Sequence, residues 1–271
     1  METLSNETIS SDTFSLNDTD LKKIVINPIT NTIYVAGDSH SSDFTGSIIH
    51  VIDGSSNQII DKIILKNMDL QSLAVNPNTN TIYAGGTIQS KFRNRNAIKV
   101  INGSRNMVTN TIGTKSIGSP IVVNTNTNTL YLATSNNKTI TVINGTNNRI
   151  VDTISQAGHI DNIAVNINTN RVYVVTLSST GSNMNVIDGT TGQIVDTFLL
   201  DTMIFAIHTP VSIVVNPNTN KVYVADSALD NVKIIESITV GKTPVDIDVN
   251  ISNDHIYVSN QISGDITVIQ D

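Results

Sequence analysis

With 271 residues, a formal charge of −7 and a pI near 5.1, the chain is a poor candidate for nucleic-acid binding, which rests largely on Lys and Arg that displace counterions. It contains no cysteine, which excludes disulfides, thiol catalysis and cysteine-ligated zinc. Aromatic residues make up 4% against 39% hydrophobic, and no apolar run approaches the roughly 20 residues that span a bilayer, so short strands joined by polar turns are expected and a membrane span is not.

Residues 1–16 are polar and acidic and lack the apolar core of a signal segment. Within them, 6–14 repeat the pattern of Asn57-Gln58-Ile59-Ile60-Asp61-Lys62-Ile63-Ile64 further on. A unit then begins that recurs six times. Asn27-Pro28-Ile29-Thr30-Asn31 leads into Ile33-Tyr34-Val35, and Asn76-Pro77-Asn78-Thr79-Asn80 leads into Ile82-Tyr83-Ala84. The pattern returns at 124–128 with Tyr131, 166–170 with Tyr173, 216–220 with Tyr223 and, degraded, 250–254 with Tyr257. All six tyrosines hold this one position, 49, 48, 42, 50 and 34 residues apart, close to the roughly 40 to 50 residues of a four-stranded propeller blade.

In the second unit the strands read Leu73-Ala74-Val75, Thr81-Ile82-Tyr83, Ile98-Lys99-Val100-Ile101 and 107–112. These runs are short, β-branched and nearly continuous, as expected where neighbouring sheets cover both faces. The opening Asn can bond its own backbone, Pro presets the next φ, and the closing Asn tolerates a left-handed conformation. Asp53-Gly54, Asn102-Gly103, Asn144-Gly145 and Asp188-Gly189 are hairpin signals, with Gly expected to supply positive φ. In the fifth unit Glu236-Ser237 replaces that turn, which predicts a short outer hairpin. The sixth stops at Asp271 after a third strand, and the 6–16 segment is the orphan fourth. The prediction is an all-β, six-bladed β-propeller of four-stranded antiparallel blades over about 20–65, 69–112, 117–154, 160–200, 209–240 and 243–271, its ring closed by the N-terminal strand.

Asn-Pro-x-Thr-Asn, a following Tyr-Val, Val-Ile-Asp-Gly and a final Ile-Val-Asp-Thr-Ile together resemble the YVTN β-propeller repeat family, with Tyr257-Val258-Ser259-Asn260 nearest to its naming strand. The resemblance covers essentially the whole chain. It implies an archaeal- or bacterial-type surface-layer or secreted protein, extracellular, acting as a non-catalytic scaffold towards protein or glycan, with self-association as a further outcome.

Candidate chemistry lies where the copies differ. The loops between second and third strands are long in the first two units. One carries Asp38, His40 and Asp43, and the other carries Lys91, Phe92, Arg93 and Arg95, cations around an aromatic that suit a carboxylate, sulfate or acidic sugar. Seven residues before each repeat's first Asn stands a channel-mouth position held by Asp20, Asp69, Ile117, His159, Thr209 and Thr243. Asp20, Asp69 and His159, with Asp161 and His208 nearby, are the candidate ligands of a divalent metal, and a metal-assisted lyase or lactonase-like hydrolase is the alternative function. The five histidines lack a repeated acid partner and no Gly-x-Ser-x-Gly elbow occurs, so nucleophilic catalysis has less support, and a lyase or lactonase would rest on a mouth site centred on His159.

Overall fold

The computed structural model describes residues 15–16, 18–40, 43–115, 120–134, 138–179, 181–201, 210–227, 230–233 and 237–270. Their strands form six antiparallel sheets in chain order. Sheet one contains β1 (Thr19–Asn27), β2 (Thr32–Ser39), β3 (Gly46–Asp53) and β4 (Gln58–Lys66). Sheet two contains β5 (Met68–Asn76), β6 (Thr81–Ile88), β7 (Arg95–Asn102) and β8 (Met107–Thr114), with a single 3-10 turn at Pro77–Thr79. Sheet three contains β9 (Ile121–Asn124), β10 (Thr129–Thr134), β11 (Thr139–Asn144) and β12 (Arg149–Ser155). Sheet four contains β13 (His159–Asn166), β14 (Arg171–Ser178), β15 (Gly181–Asp188) and β16 (Ile194–Asp201). Sheet five contains β17 (Pro210–Asn216), β18 (Lys221–Asp226), β19 (Asn231–Lys233) and β20 (Ser237–Thr239), and sheet six contains β21 (Pro244–Asn250), β22 (His255–Asn260) and β23 (Asp265–Gln270).

Each sheet is a meander, its strands pairing in sequence order. The first strands of successive sheets pack on one another, β1 on β5, β5 on β9, β9 on β13, β13 on β17 and β17 on β21. The result is a propeller-like array of repeated blades, with apolar clusters between neighbouring sheets. The series ends at β21, which does not pack on β1 in this way. The expected closing strand at 6–16 falls outside the described residues except for Ser15 and Leu16. The fifth blade has the expected short outer pair, β19 and β20 being three residues each.

The asparagine turns explain themselves in atoms. The first Asn of each turn accepts backbone N–H two residues on through Oδ1, from Ile29 to Asn27 at 3.0 Å and from Ser252 to Asn250 at 3.0 Å, with Asn76, Asn124, Asn166 and Asn216 alike. The closing residue stands at positive φ in all six: Asn31, Asn80, Asn128, Asn170, Asn220 and Asp254. The same asparagines also link the blades. Nδ2 of Asn27, Asn76, Asn124, Asn166 and Asn216 donates to Oδ1 of Asn80, Asn128, Asn170, Asn220 and Asp254 in the next blade, at 2.9, 2.8, 2.8, 3.0 and 3.0 Å. Those five donors are fully buried.

One expectation about the turns is corrected. Gly54, Gly103, Gly145 and Gly189 do not have positive φ; that conformation falls to Asn57, Asn106, Asn148 and Gly192, each three residues later. The four glycines are needed for close approach, because a Cβ there would collide with Oδ1 of Asn31, Asn80, Asn128 or Asn170. Outermost strands β4, β8, β12 and β16 each carry a bulge, at Ile60, Thr109, Val151 and Val195, which bends an edge otherwise open to pairing.

Candidate functional site

Two different ends result from this meander. The asparagine and Asp-Gly turns occupy one, and the loops after second and fourth strands occupy the other. At the loop end β1 begins with Asp20 opposite Asp38 of β2. A bulge between Leu21 and Lys23 releases Lys22 from the ladder. Its ammonium reaches Asp38 Oδ2 at 2.7 Å in its own blade and Asp69 Oδ1 at 2.8 Å in the next. Burial presses the Lys22 pKa down, but the hydrogen bonds and charges of Asp38 and Asp69 outweigh it and raise it above the usual lysine value. His40 Nε2 meets Asp20 Oδ1 at 2.9 Å, with both side chains half or more exposed.

The predicted binding set therefore divides. Asp38 and His40 belong to this ionic network on blades one and two, while Lys91, Phe92 and Arg93 between β6 and β7, with Arg95 at the start of β7, form an exposed tip. Phe92 is 99% exposed. Asn94 Oδ1 accepts the Ser90 N–H at 3.2 Å and pins the loop across its base, leaving the cations at its rim.

The predicted metal ligands are not gathered. Asp20 is engaged with His40, Asp69 with Lys22, and His159 opens β13 in the fourth sheet. Among the described residues no group of three His, Asp or Glu side chains lies close enough to hold a metal ion. Asp161, in the β13 bulge equivalent to that of Lys22, has its carboxyl pushed up by burial, with nearby His159 opposing. Ile117, His208 and Thr209 lie outside the described residues. Thr243 is a structural residue, taking positive φ while its N–H donates to Asp230 Oδ1 at 2.6 Å. Sequence reasoning missed Lys22. The signal was its place one residue after Leu21 and two before Ile24, the first of the alternating pair Ile24 and Ile26, where the repeat slips by one.

Elsewhere, a buried histidine in sheet one meets a half-exposed ion pair. His50, fully buried, meets Thr19 Oγ1 at 2.8 Å and Asp18 Oδ1 at 3.4 Å through Nε2, and its Nδ1 has no partner. Burial lowers the His50 pKa, Asp18 opposing and Lys62 adding to the fall. The Lys62 ammonium, 2.6 Å away, holds the Asp18 carboxyl below its ordinary value against burial. A shallow depression between sheets three and four, about 310 Å³, is lined by Tyr131, Asp152, Gly189 and Gly192 at the turn end, away from the basic tip.

No protein-family model matches the chain, and neither does any curated protein sequence. Among solved structures, the chain is similar to a chain of hydrazine synthase from Kuenenia stuttgartiensis, with a TM-score of 0.59 and 12% identity over 97% of this chain and 99% of that one. At that identity the likeness concerns the fold alone.

Proposed function

We propose that the chain is a six-bladed, YVTN-type propeller, closed by its N-terminal strand, that works without turnover as an extracellular binding scaffold and engages an anionic partner through its loop end. The observation that carries this reading is the tip at Lys91, Phe92, Arg93 and Arg95. A phenylalanine 99% exposed costs apolar hydration, and three cations around it on a protein of net charge −7 concentrate the attraction for anions at one place. An aromatic face stacks on the apolar side of a sugar ring while guanidinium groups fork onto carboxylate or sulfate. The asparagine links hold the blades beneath as a rigid base, on which loop identity can vary without disturbing the core. The resemblance of the repeats to surface-layer propellers supports the location.

The test is retention on an immobilised sulfated or uronic-acid polysaccharide, and on an acidic peptide, against a neutral polymer. Retention on an anionic support should weaken with salt. Combined Lys91→Ala, Arg93→Ala and Arg95→Ala should reduce affinity at least about 10-fold, equivalent to about 1.4 kcal/mol, with an unchanged melting temperature. Equal retention of parent and triple variant, or none on any anionic support, rejects the reading.

A further inference from the structure

Neighbouring blades meet at their outer hairpins through one repeated position, and blade four differs from the others there. The residue three places after each Asp-Gly or Asn-Gly pair takes positive φ; it is Asn57, Asn106 and Asn148 in blades one to three and Gly192 in blade four. Where blades one and two meet, Asn106 Nδ2 donates to Asp61 Oδ2 at 2.9 Å, while Asp61 Oδ1 accepts the Lys62 N–H at 2.8 Å. Where blades three and four meet, Asp152 repeats Asp61, its Oδ1 accepting the Thr153 N–H at 2.7 Å, and Gly192 repeats Asn106. A Cβ on Gly192 would stand 2.9 Å from Asp152 Oδ2, so these two positions meet as their counterparts do. Among the described residues no hydrogen bond or ion pair reaches that oxygen. The acceptor is kept and its donor is gone.

Glycine leaves room as well as an unmet acceptor. The side-chain oxygens of Asn106 and Asn148 are buried, so a side chain at this position turns inward between the blades. Where Gly192 has none, the depression of about 310 Å³ opens between sheets three and four. A second, of about 380 Å³, continues from it along Gln193 and Ile194, and both are lined by Asp152, Ile154 and Gly192. Val142, Val151 and Ile154 give the first an apolar wall, with the Tyr131 and Thr190 side chains on its polar side. The Thr190 hydroxyl accepts from Asn170 Nδ2 at 3.1 Å and the Tyr131 hydroxyl donates to the Gly189 carbonyl at 3.4 Å, so each oxygen keeps a lone pair for a further donor. Asp188 on the blade-four side is matched by Arg171 at 2.9 Å, which leaves the charge of Asp152 as the unmatched one.

We propose that this depression binds a primary ammonium carried on an apolar stem, the chemistry shared by a lysine side chain and a small alkylamine. The ammonium takes the place that the Asn106 amide fills between blades one and two, and its bond to a carboxylate is charge-assisted and stronger than the amide's. An ammonium suits the site better than a guanidinium does. The planar guanidinium fork seeks both carboxylate oxygens, but Asp152 Oδ1 is already held by the Thr153 N–H; an ammonium is a compact point charge that one oxygen satisfies. Its remaining N–H groups have the Thr190 and Tyr131 hydroxyls as acceptors, and its alkyl stem lies on Val142, Val151 and Ile154 as lysine stems lie on apolar surface elsewhere. The site is opposite in charge to the basic tip and does not depend on it.

The test is a titration of the isotope-labelled full chain with n-butylammonium, read by NMR at the backbone amides of Thr153, Thr190 and Gly192. The shifts should saturate. Tetramethylammonium, a cation without N–H, and n-butanol, the stem without charge, should each bind at least about 10-fold more weakly, because each lacks the charge-assisted hydrogen bond. Gly192→Asn supplies the amide of the first joint and should abolish the response while the melting temperature holds or rises, since Asn already takes positive φ at 57, 106 and 148 and the Asp152 carboxylate end is free to swing aside. Should that variant fold poorly, Asp152→Asn, at an exposed position, removes the charge alone and should weaken binding at least about 10-fold. Nα-acetyl-lysine amide binding more tightly than n-butylammonium assigns a peptide lysine as the source, and equal affinity assigns a free amine. Equal titration by tetramethylammonium, an unchanged response in Gly192→Asn or Asp152→Asn, or no saturable shift at the three amides overturns the proposal.

Discussion

The two ends of the blades were made by opposite uses of the same repeat. At the turn end, the first asparagine of all six copies makes the same turn bond, and in the first five it also bonds to the next blade. At the loop end, copies share only a strand boundary, and blades one and two carry the Lys22 bridge and the basic tip. Repetition at one end fixes the frame; variation at the other is affordable because the frame does not depend on it. The comparison yields an ordered set of expectations, in which turn-end changes cost stability and loop-end changes cost little.

The largest effect should follow Asn76→Ala. It removes the acceptor for the Asn78 N–H at 3.1 Å and the inter-blade donor to Asn128 Oδ1 at 2.8 Å, both from a fully buried side chain. A lost cap plus a lost buried hydrogen bond costs about 2–3 kcal/mol, or roughly 4–10 °C for a chain of this size. Asn78→Ala removes only an exposed bond to the Thr125 carbonyl at 3.0 Å and should cost under about 1 kcal/mol. Thermal unfolding of the two variants side by side checks the ranking, and equal losses would show that the turn end is not held by its buried asparagines.

Between the ends, His50 makes stability depend on pH. Its pKa is lowered by burial in the folded chain, so the unfolded chain, at about 6.5, takes up the proton first. The contribution of neutral His50 is complete above about pH 6.5 and is lost as pH falls from there through the lower folded value. The slope cannot exceed one proton, about 1.4 kcal/mol per pH unit. Asp18, lowered in the fold by Lys62, acts in the same direction but only near and below the ordinary carboxylate value of 3.8, so the two windows separate. His50→Asn should flatten the decline just below pH 6.5 in a series of urea midpoints; an unchanged slope would place that proton elsewhere. The substitution has a precedent inside the chain, since Asn185 holds the equivalent place opposite Val174, as His50 does opposite Val35.

What could be read from the sequence follows the same division. The Asn-x-x-Thr-Asn turns and the tyrosine spacing located the blades, because each turn repeats a local chemistry that needs no tertiary information. Even there, Gly54 was assigned the wrong reason: the residue pattern does not distinguish a glycine required by φ from one required by a neighbouring side chain. At the loop end, Asp20, Asp69 and His159 are spaced as a rim position, yet spacing along the chain carries no information about which cation reaches them. Lys22 reaches Asp69 alone of the three, through a bulge that shifts the register by one residue and turns a side chain out of the alternating pattern, while Asp20 meets His40. Lys91, Phe92, Arg93 and Arg95 could be read directly, since an exposed tip depends on composition more than on packing.

The smallest effect should follow Lys22→Met, and it sharpens the contrast most. The ammonium bridges Asp38 and Asp69 across blades one and two, but all three side chains are about a third or more exposed, so each contact is worth under about 1 kcal/mol. The variant should melt within about 2–3 °C of the parent at low salt and closer still at high salt, where screening has already weakened the bridge. Lys22 is the cation that stands between the two carboxylates. Removing it should give Asp38 and Asp69 a weak calcium response, seen as a rise in melting temperature with added calcium that the parent lacks. A calcium response of equal size in the parent would show that the mouth binds metal with Lys22 in place, and would return Asp20, Asp69 and His159 to consideration as ligands.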